Sequence, residues 1–264
     1  MRGCVVRSGN LAILVVLGLT LATACSGQGT KQRQAENARH QAALKKGAAP
    51  RQPRIPPPRR LDCARLKCVA LTFDDGPGDH TARVLDSLRG VGARATFFML
   101  GQNVASYPDV VRRMAFEGHE LANHTWSHPV LTELSPAAVR AQVARTQQAI
   151  KEASGVTPTM FRPPYGATDA RVGRAVGMPQ ILWSLDSMDW RYRSAKRNAD
   201  IGVRKTKPGG VVLFHDIHKT TASAVPRILA GLKERGFTFV TVTELFQSRR
   251  LAPGSRYTEL RETP

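Results

Sequence analysis

Acidic residues, aromatic residues, cysteines and long apolar runs are all scarce in this chain, and each scarcity narrows what it can be. Twenty Asp/Glu stand against 39 Lys/Arg in 264 residues, a formal charge of +19, which raises nucleic acid or a membrane surface as partners. The location of the excess argues against nucleic acid. Residues 26–60 carry nine Lys/Arg against Glu36 alone, residues 249–264 carry four against two, and Arg2 and Arg7 lie near the N-terminus. Between 61 and 248 the balance is a milder 24 against 17. Aromatics make up 6% of the chain, and neither a basic recognition helix nor an aromatic-studded RNA-binding strand occurs. The apolar stretch 11–24 has fourteen residues. As a helix it rises about 21 Å, short of the roughly 30 Å hydrocarbon core, which disfavours a retained membrane span.

What is present at the N-terminus reads as an export signal: Arg2 and Arg7, then the apolar stretch, then Ala22-Thr23-Ala24, the small-x-small pattern cut by signal peptidases. Cys25 follows directly, and with Ser26-Gly27 it resembles the lipobox of bacterial lipoproteins, with Ala22 where Leu is usual; plain secretion is the alternative. Cys4 falls in the leader, leaving Cys63 and Cys68. In an exported protein that pair most simply forms a disulfide. The rival, a C-x4-C zinc site, lacks a second Cys/His pair to complete it. Residues 25–60 read as a lipidated Cys and a basic tether ending in Pro56-Pro57-Pro58, without an aromatic residue to bury. Its charge suits either a grip on anionic wall polymers or a solvated spacer. Removing signal and tether leaves about 188 residues, enough for one domain at 61–248, followed by a flexible tail at 249–264.

Within that domain, short apolar runs alternate with helical stretches. Runs at 68–73, 95–100, 120–123, 160–162, 180–184, 211–214 and 237–242 have the look of buried parallel strands. Helices are expected at 81–89, 108–117, 136–154 and 225–235, the clearest being 136–154, with Ser135 as N-cap, Pro136 at the first position and Gly155 as its stop. Seven β/α repeats predict an incomplete or distorted (β/α) barrel, with an open doubly wound sheet as the alternative.

Ionisable residues gather where these strands end: Asp74-Asp75 after the first, His124 and His128 after the third, Arg162 after the fourth, Asp186 and Asp189 after the fifth, His215 and Asp216 after the sixth. His124 and His128 are four apart, so one helical turn would point both imidazoles the same way. With a carboxylate from Asp74 or Asp75 they would form a two-imidazole, one-carboxylate site with an open position. Adjacent residues leaving a strand point to opposite sides, so one carboxylate can bind metal while the other faces the reacting water. Such a site suits hydrolysis of an amide or ester. His215 would protonate the leaving group, Arg162 would keep the base ionised, and Asp189 would fix the tautomer of His215. Taken singly these signals are weak: Asp-Asp-Gly-Pro is usually a turn, and His215 with His218 suits a structural or ligand role as well. His119-Glu120 starts a metalloprotease-like motif, but the next histidine is five residues on, off the shared face.

Together, Thr72-Phe73-Asp74-Asp75-Gly76-Pro77, His124-x3-His128, Arg162-Pro163-Pro164-Tyr165, Asp186-x2-Asp189-Trp190 and Leu213-x-His215 resemble, in order, the five motifs of the NodB-homology polysaccharide deacetylases, carbohydrate esterase family 4. The resemblance covers about residues 66–247. It implies Asp74 as catalytic base and His215 as catalytic acid, tuned by Arg162 and Asp189, with Asp75, His124 and His128 as ligands of a divalent metal: zinc, or cobalt or manganese. It further implies a substrate groove shaped by Pro163, Pro164, Tyr165, Trp190 and Leu213, with the Tyr165 N–H helping to stabilise the oxyanion. The implied fold is a distorted α/β barrel, and the implied activity is removal of N-acetyl groups from a polysaccharide. An export signal, a lipid anchor and a 35-residue tether reaching roughly 30 to 35 Å favour peptidoglycan as substrate and the outer face of the cell membrane as location. The expected protein is monomeric and does not bind nucleic acid. Chitin or xylan deacetylation is the alternative reading. Non-enzymatic alternatives are a silent glycan-binding domain and a wall protein whose tether is the function.

Overall fold

A computed structural model describes residues 54–260; the expected export signal, Cys25 as expected lipid anchor and the expected tether up to residue 53 lie outside them. Its centre is β1, Cys68–Asp74, a fully buried strand. Burial on both faces explains why it is apolar without strict alternation. Val69, Leu71 and Phe73 point into one apolar cluster with Leu85, Leu88, Phe97 and Phe214. Ala70 points into a second, with Phe98, Val211 and Val240. Asp74 therefore continues the face of Ala70 and Thr72, towards the interior of the fold.

Around β1 stand β2 (Thr96–Met99), β3 (Glu120–Asn123), β4 (Gln180–Ile181), β5 (Leu185–Asp186), β6 (Val211–His215), β7 (Thr238–Val240) and β8 (Arg256–Tyr257). The main sheet runs β3-β2-β1-β6-β5, with β7 pairing the beginning of β1, and its ladders are all parallel. The register between β1 and β6 sets Asp74 beside His215, and that between β2 and β3 sets Met99 beside Asn123, one residue before His124. Catalytic candidates scattered through the sequence thereby share one end of the sheet.

The connections are mostly helical: α1 (Thr81–Gly90), α2 (Gly101–Ser106), α3 (Pro108–Phe116), α4 (Pro136–Ser154), α5 (Ala170–Val176), α6 (Asp189–Tyr192), α7 (Ala195–Lys205), α8 (Lys219–Glu234) and α9 (Val242–Leu245). In α4 the Ser135 hydroxyl accepts from Ala138 N–H, Val139, Val143 and Ile150 are buried, and Gly155 ends the helix at φ 77°, where a glycine pays no Cβ penalty. α8 starts six residues earlier than its apolar spacing predicts and carries Pro226 inside it.

The barrel is distorted and its sheet is not closed by a continuous ladder. Where a strand is expected at 160–162, only Phe161 bridges Asn123 on one side and Gln180 on the other, because Pro163 and Pro164 have no N–H to extend a ladder. The expected strand at 180–184 divides: Ile181 stays with Phe161 and β8, while Ser184 N–H bonds to Val211 and β5 joins β6. β8 fills the gap, with Leu182 N–H donating to the Tyr257 carbonyl and Gly210 bridging Glu259.

Two boundaries need correction. Residues 249–264, expected as a flexible tail, include β8, whose Tyr257 is buried against Phe246. Arg59, assigned to the tether, belongs to the domain: its Nη2 donates to Glu244 Oε2 at 2.7 Å and to the Phe239 carbonyl at 2.7 Å. Glu244 is buried and also pairs with Arg94, and a buried carboxylate requires such partners. Cys63 and Cys68 are disulfide-bonded as expected, with Cα atoms 5.4 Å apart.

Candidate active site

Asp75, His124 and His128 converge at the C-terminal ends of β1 and β3. Asp75 Oδ1 lies 3.5 Å from the Nε2 atoms of both histidines, and one ligand atom from each residue falls within 4.8 Å of the others. The convergence does not arise as the spacing suggests. Residues 124–128 are an irregular loop, not a helical turn, with Thr125 and His128 at φ 73° and 62°. Polar side chains hold it: Thr125 N–H donates to Asn123 Oδ1, Trp126 N–H to Gln142 Oε1 on α4, and His128 N–H to Thr125 Oγ1. The two carboxylates do not diverge either. Asp75 leaves β1 at φ 70°, so Asp74 Oδ2 and Asp75 Oδ1 approach the same His124 Nε2, at 3.7 and 3.5 Å.

These residues fit a divalent cation. Asp75 Oδ1 is buried without a hydrogen-bond partner, a costly state for a carboxylate oxygen unless a cation faces it. His124 Nδ1 lies 2.7 Å from the Arg162 carbonyl and so carries the proton, leaving Nε2 as a free lone pair. Burial holds the His124 pKa at about 3, so the ring is neutral, as a ligand must be. Asp75 itself is positioned from behind. Asn103 Nδ2 donates to its carbonyl at 2.6 Å, and Thr81 Oγ1 accepts from Gly78 N–H while donating to the buried Asp216. A Cβ on Gly76 would collide with that Asp216 carboxylate.

Asp74 is almost wholly buried. Burial raises its pKa, against the opposing charge of Arg162, whose Nη1 donates to Asp74 Oδ1 at 2.6 Å. Arg162 is completely buried. Its remaining donors reach Thr72 Oγ1, the Ile181 carbonyl and the Leu182 carbonyl at 2.8 to 2.9 Å, and its guanidinium lies 4.0 Å from the Phe98 ring centroid. With four of its five N–H donors directed in this way, the ion pair is fixed in place.

On the other side of Asp74 stands His215. Its Nδ1 lies 2.7 Å from Asp189 Oδ1, and its backbone N–H donates to Asp189 Oδ2 at 2.8 Å. Thr221, a residue that no motif flags, adds a third bond to Asp189. Burial pulls the His215 pKa down, but the hydrogen bond and charge of Asp189 carry it up to about 9. The imidazolium is thus the resting form near neutral pH, with Nδ1 bound to Asp189 and Nε2 left as the proton donor. One flank carries a buried carboxylate and the other an imidazolium, a division suited to base and acid work in hydrolysis.

Between them lies a cleft of about 420 Å³ lined by Pro163, Tyr165, Trp190 and Leu213 as expected, and also by Trp183 and Asp186. Asp186 accepts from Met188 N–H and from Trp190 Nε1, aiming that ring. Pro164 does not line the cleft: it is buried in the short turn Pro164–Gly166, from which Tyr165 projects at φ 59° and 66% exposure. Trp183 escapes a motif search because its position depends on the division of the fifth strand.

The polysaccharide deacetylase family profile matches residues 62–180. Over 192 residues, 72% of this chain and 41% of the relative, the chain is 43% identical to the peptidoglycan-N-acetylglucosamine deacetylase PgdA of Listeria monocytogenes. Over 185 residues, 70% of this chain and 40% of the relative, it is 40% identical to the peptidoglycan-N-acetylmuramic acid deacetylase PdaC of Bacillus subtilis. The chain therefore spans about two fifths of the length of these curated relatives. Among solved structures, a T48 deacetylase with substrate superposes with a TM-score of 0.73 at 43% identity, covering 75% of this chain and 99% of that one. With this identity, coverage and site geometry, the chain belongs to the polysaccharide deacetylase family, carbohydrate esterase family 4.

Proposed function

We propose that this protein hydrolyses N-acetyl groups on peptidoglycan, with N-acetylglucosamine as the sugar attacked, using a zinc ion held by Asp75, His124 and His128. The observation that carries the reading is the placement of Asp74 and His215 on opposite flanks of this ligand set, inside a cleft walled by aromatic rings. A bound divalent ion polarises a carbonyl and lowers the pKa of water. Asp74 accepts the proton of the attacking water, held in the ionised state by Arg162. His215 passes its proton to the departing amine, and Asp189 holds the ring in the tautomer that presents Nε2. Tyr165 and Trp190 flank the sugar, and the Tyr165 N–H stabilises the oxyanion.

The N-terminal signal and Cys25 support a location on the outer face of the membrane as a lipoprotein, with the basic tether spanning to the wall. The test is acetate release by the purified chain from acetylated peptidoglycan, chitin oligomers and acetylxylan, with and without chelator. Chelator-sensitive release from peptidoglycan is the expected result. Release from chitin or xylan alone overturns the substrate, and release insensitive to chelator overturns the metal.

A further inference from the structure

Between residues 61 and 248 the excess of positive charge is concentrated in one place. Arg191, Arg193, Lys196, Arg197, Arg204, Lys205 and Lys207 are all exposed, with Asp200 as the one acidic residue among positions 191–207. The rest of 61–248 is nearly balanced, at 17 Lys/Arg against 16 Asp/Glu. Asp200 offsets one cation of this strip, Lys196, whose Nζ lies 2.8 Å away, and otherwise pairs with Arg227, 3.0 Å away, outside the strip. Arg197, Arg204 and Lys205 share one hollow on α7.

The strip is continuous with the cleft. Trp190 lines the cleft on α6, and two residues on, Tyr192 is exposed with the Arg197 guanidinium stacked 3.4 Å from its ring centroid. Arg193 ends α6 at φ 46°, a conformation costing a bulky residue on the order of 1 kcal/mol. Its charge acts on His218, whose ring lies 5.9 Å from that of His215. A polymer lying past Trp190 thus passes over Tyr192 and then meets fixed guanidinium groups, which recognise carboxylates through paired donors.

We infer that Tyr192, Arg193, Arg197, Arg204 and Lys205 form a second binding surface that takes the carboxylates of the peptide stems borne by the glycan strand in the cleft. The inference rests on the peptidoglycan reading above. Continuity with the cleft selects stems over a separate phosphate polymer, because stems are borne by the muramic acid residues next to the sugar under attack, on the same strand, and arrive at high effective concentration.

The test uses the full chain, with kcat/KM for acetate release measured on soluble stem-bearing glycan strands and on the same strands after amidase removal of the stems. The wild type is expected to prefer stem-bearing strands by roughly fivefold to tenfold, the sum of several exposed ion pairs, and the preference should shrink as salt rises. In Arg197→Gln/Arg204→Gln the ratio falls towards one through KM, whereas Arg83→Gln/Arg112→Gln, with the same loss of charge on α1 and α3, keeps it. Equal rates on both substrates in the wild type, or a ratio unchanged in Arg197→Gln/Arg204→Gln, overturns the inference and leaves the deacetylase reading standing. Fluorescence anisotropy with a labelled stem-bearing fragment separates the converse case. Affinity lost in Arg197→Gln/Arg204→Gln without any acetate release supports the surface and refutes the hydrolytic reading. Equal displacement of stem-bearing and stem-free fragments by a polyphosphodiester assigns the strip to a phosphate polymer instead.

Discussion

Asp74 and Asp75 are neighbours whose different tasks follow from one dihedral angle. Asp74 ends β1 in extended conformation beside His215, whereas Asp75 turns at φ 70° to face the two histidines. Asp74→Asn keeps an acceptor for Arg162 but removes the base, so acetate release is expected to fall about 10²- to 10⁴-fold with metal content by elemental analysis unchanged. Arg162→Met leaves Asp74 buried and unpaired, which should cost about 3 to 5 kcal/mol in denaturant unfolding as well as activity. His215 supplies a pH test. Its folded pKa of about 9 lies above the ordinary 6.5, so its contribution to stability is present in full below about 6.5 and is lost as pH rises through about 9. The same deprotonation removes the acid, and kcat/KM should fall on the alkaline side near 9. In Asp189→Asn that limb should move towards 6.5, and an unmoved limb would show that Asp189 does not set it.

The loops after the strands, more than the strands, determine the site. Three non-glycine residues in the left-handed region, Asp75, His128 and Tyr165, line the cleft, and a fourth, Thr125, shapes the histidine loop, an arrangement the surrounding hydrogen bonds must hold against its cost. Gly76→Ala drives a methyl group into the Asp216 carboxylate behind the Asp75 loop, so metal affinity by isothermal titration should drop together with activity. β8 covers the gap between β4 and β6. Tyr257→Ala removes a buried ring there and is expected to cost about 3 kcal/mol in urea unfolding.

At the scale of the molecule, a charge of +19 is spread unevenly: residues 26–60 carry nine Lys/Arg against one Glu, and positions 191–207, on and around α6 and α7 beside the cleft, carry seven against one Asp. Metal links site and domain. A cation that binds only the folded ligand set stabilises it by mass action, so chelation should lower the melting temperature in a calorimetric scan as well as abolish turnover.

Much of this was legible before any coordinates. The β1 and β6 runs and helix α4 with its Ser135 cap follow from apolar spacing and capping residues, which depend on near neighbours, and the ligand, base and acid residues proposed above come from the resemblance of five ordered motifs to those of a known family. What only the tertiary structure decided depends on distant partners. The meeting of His124 and His128 rests on Gln142 of a later helix, and the Asp189 contact on Thr221. The aim of Arg162 rests on carbonyls nineteen and twenty residues away. Burial of Tyr257 in a supposed tail, and the placement of the cations of positions 191–207 beside the cleft, likewise required the chain to fold back on itself: local pattern records which residues can do chemistry, and packing sets which of them meet.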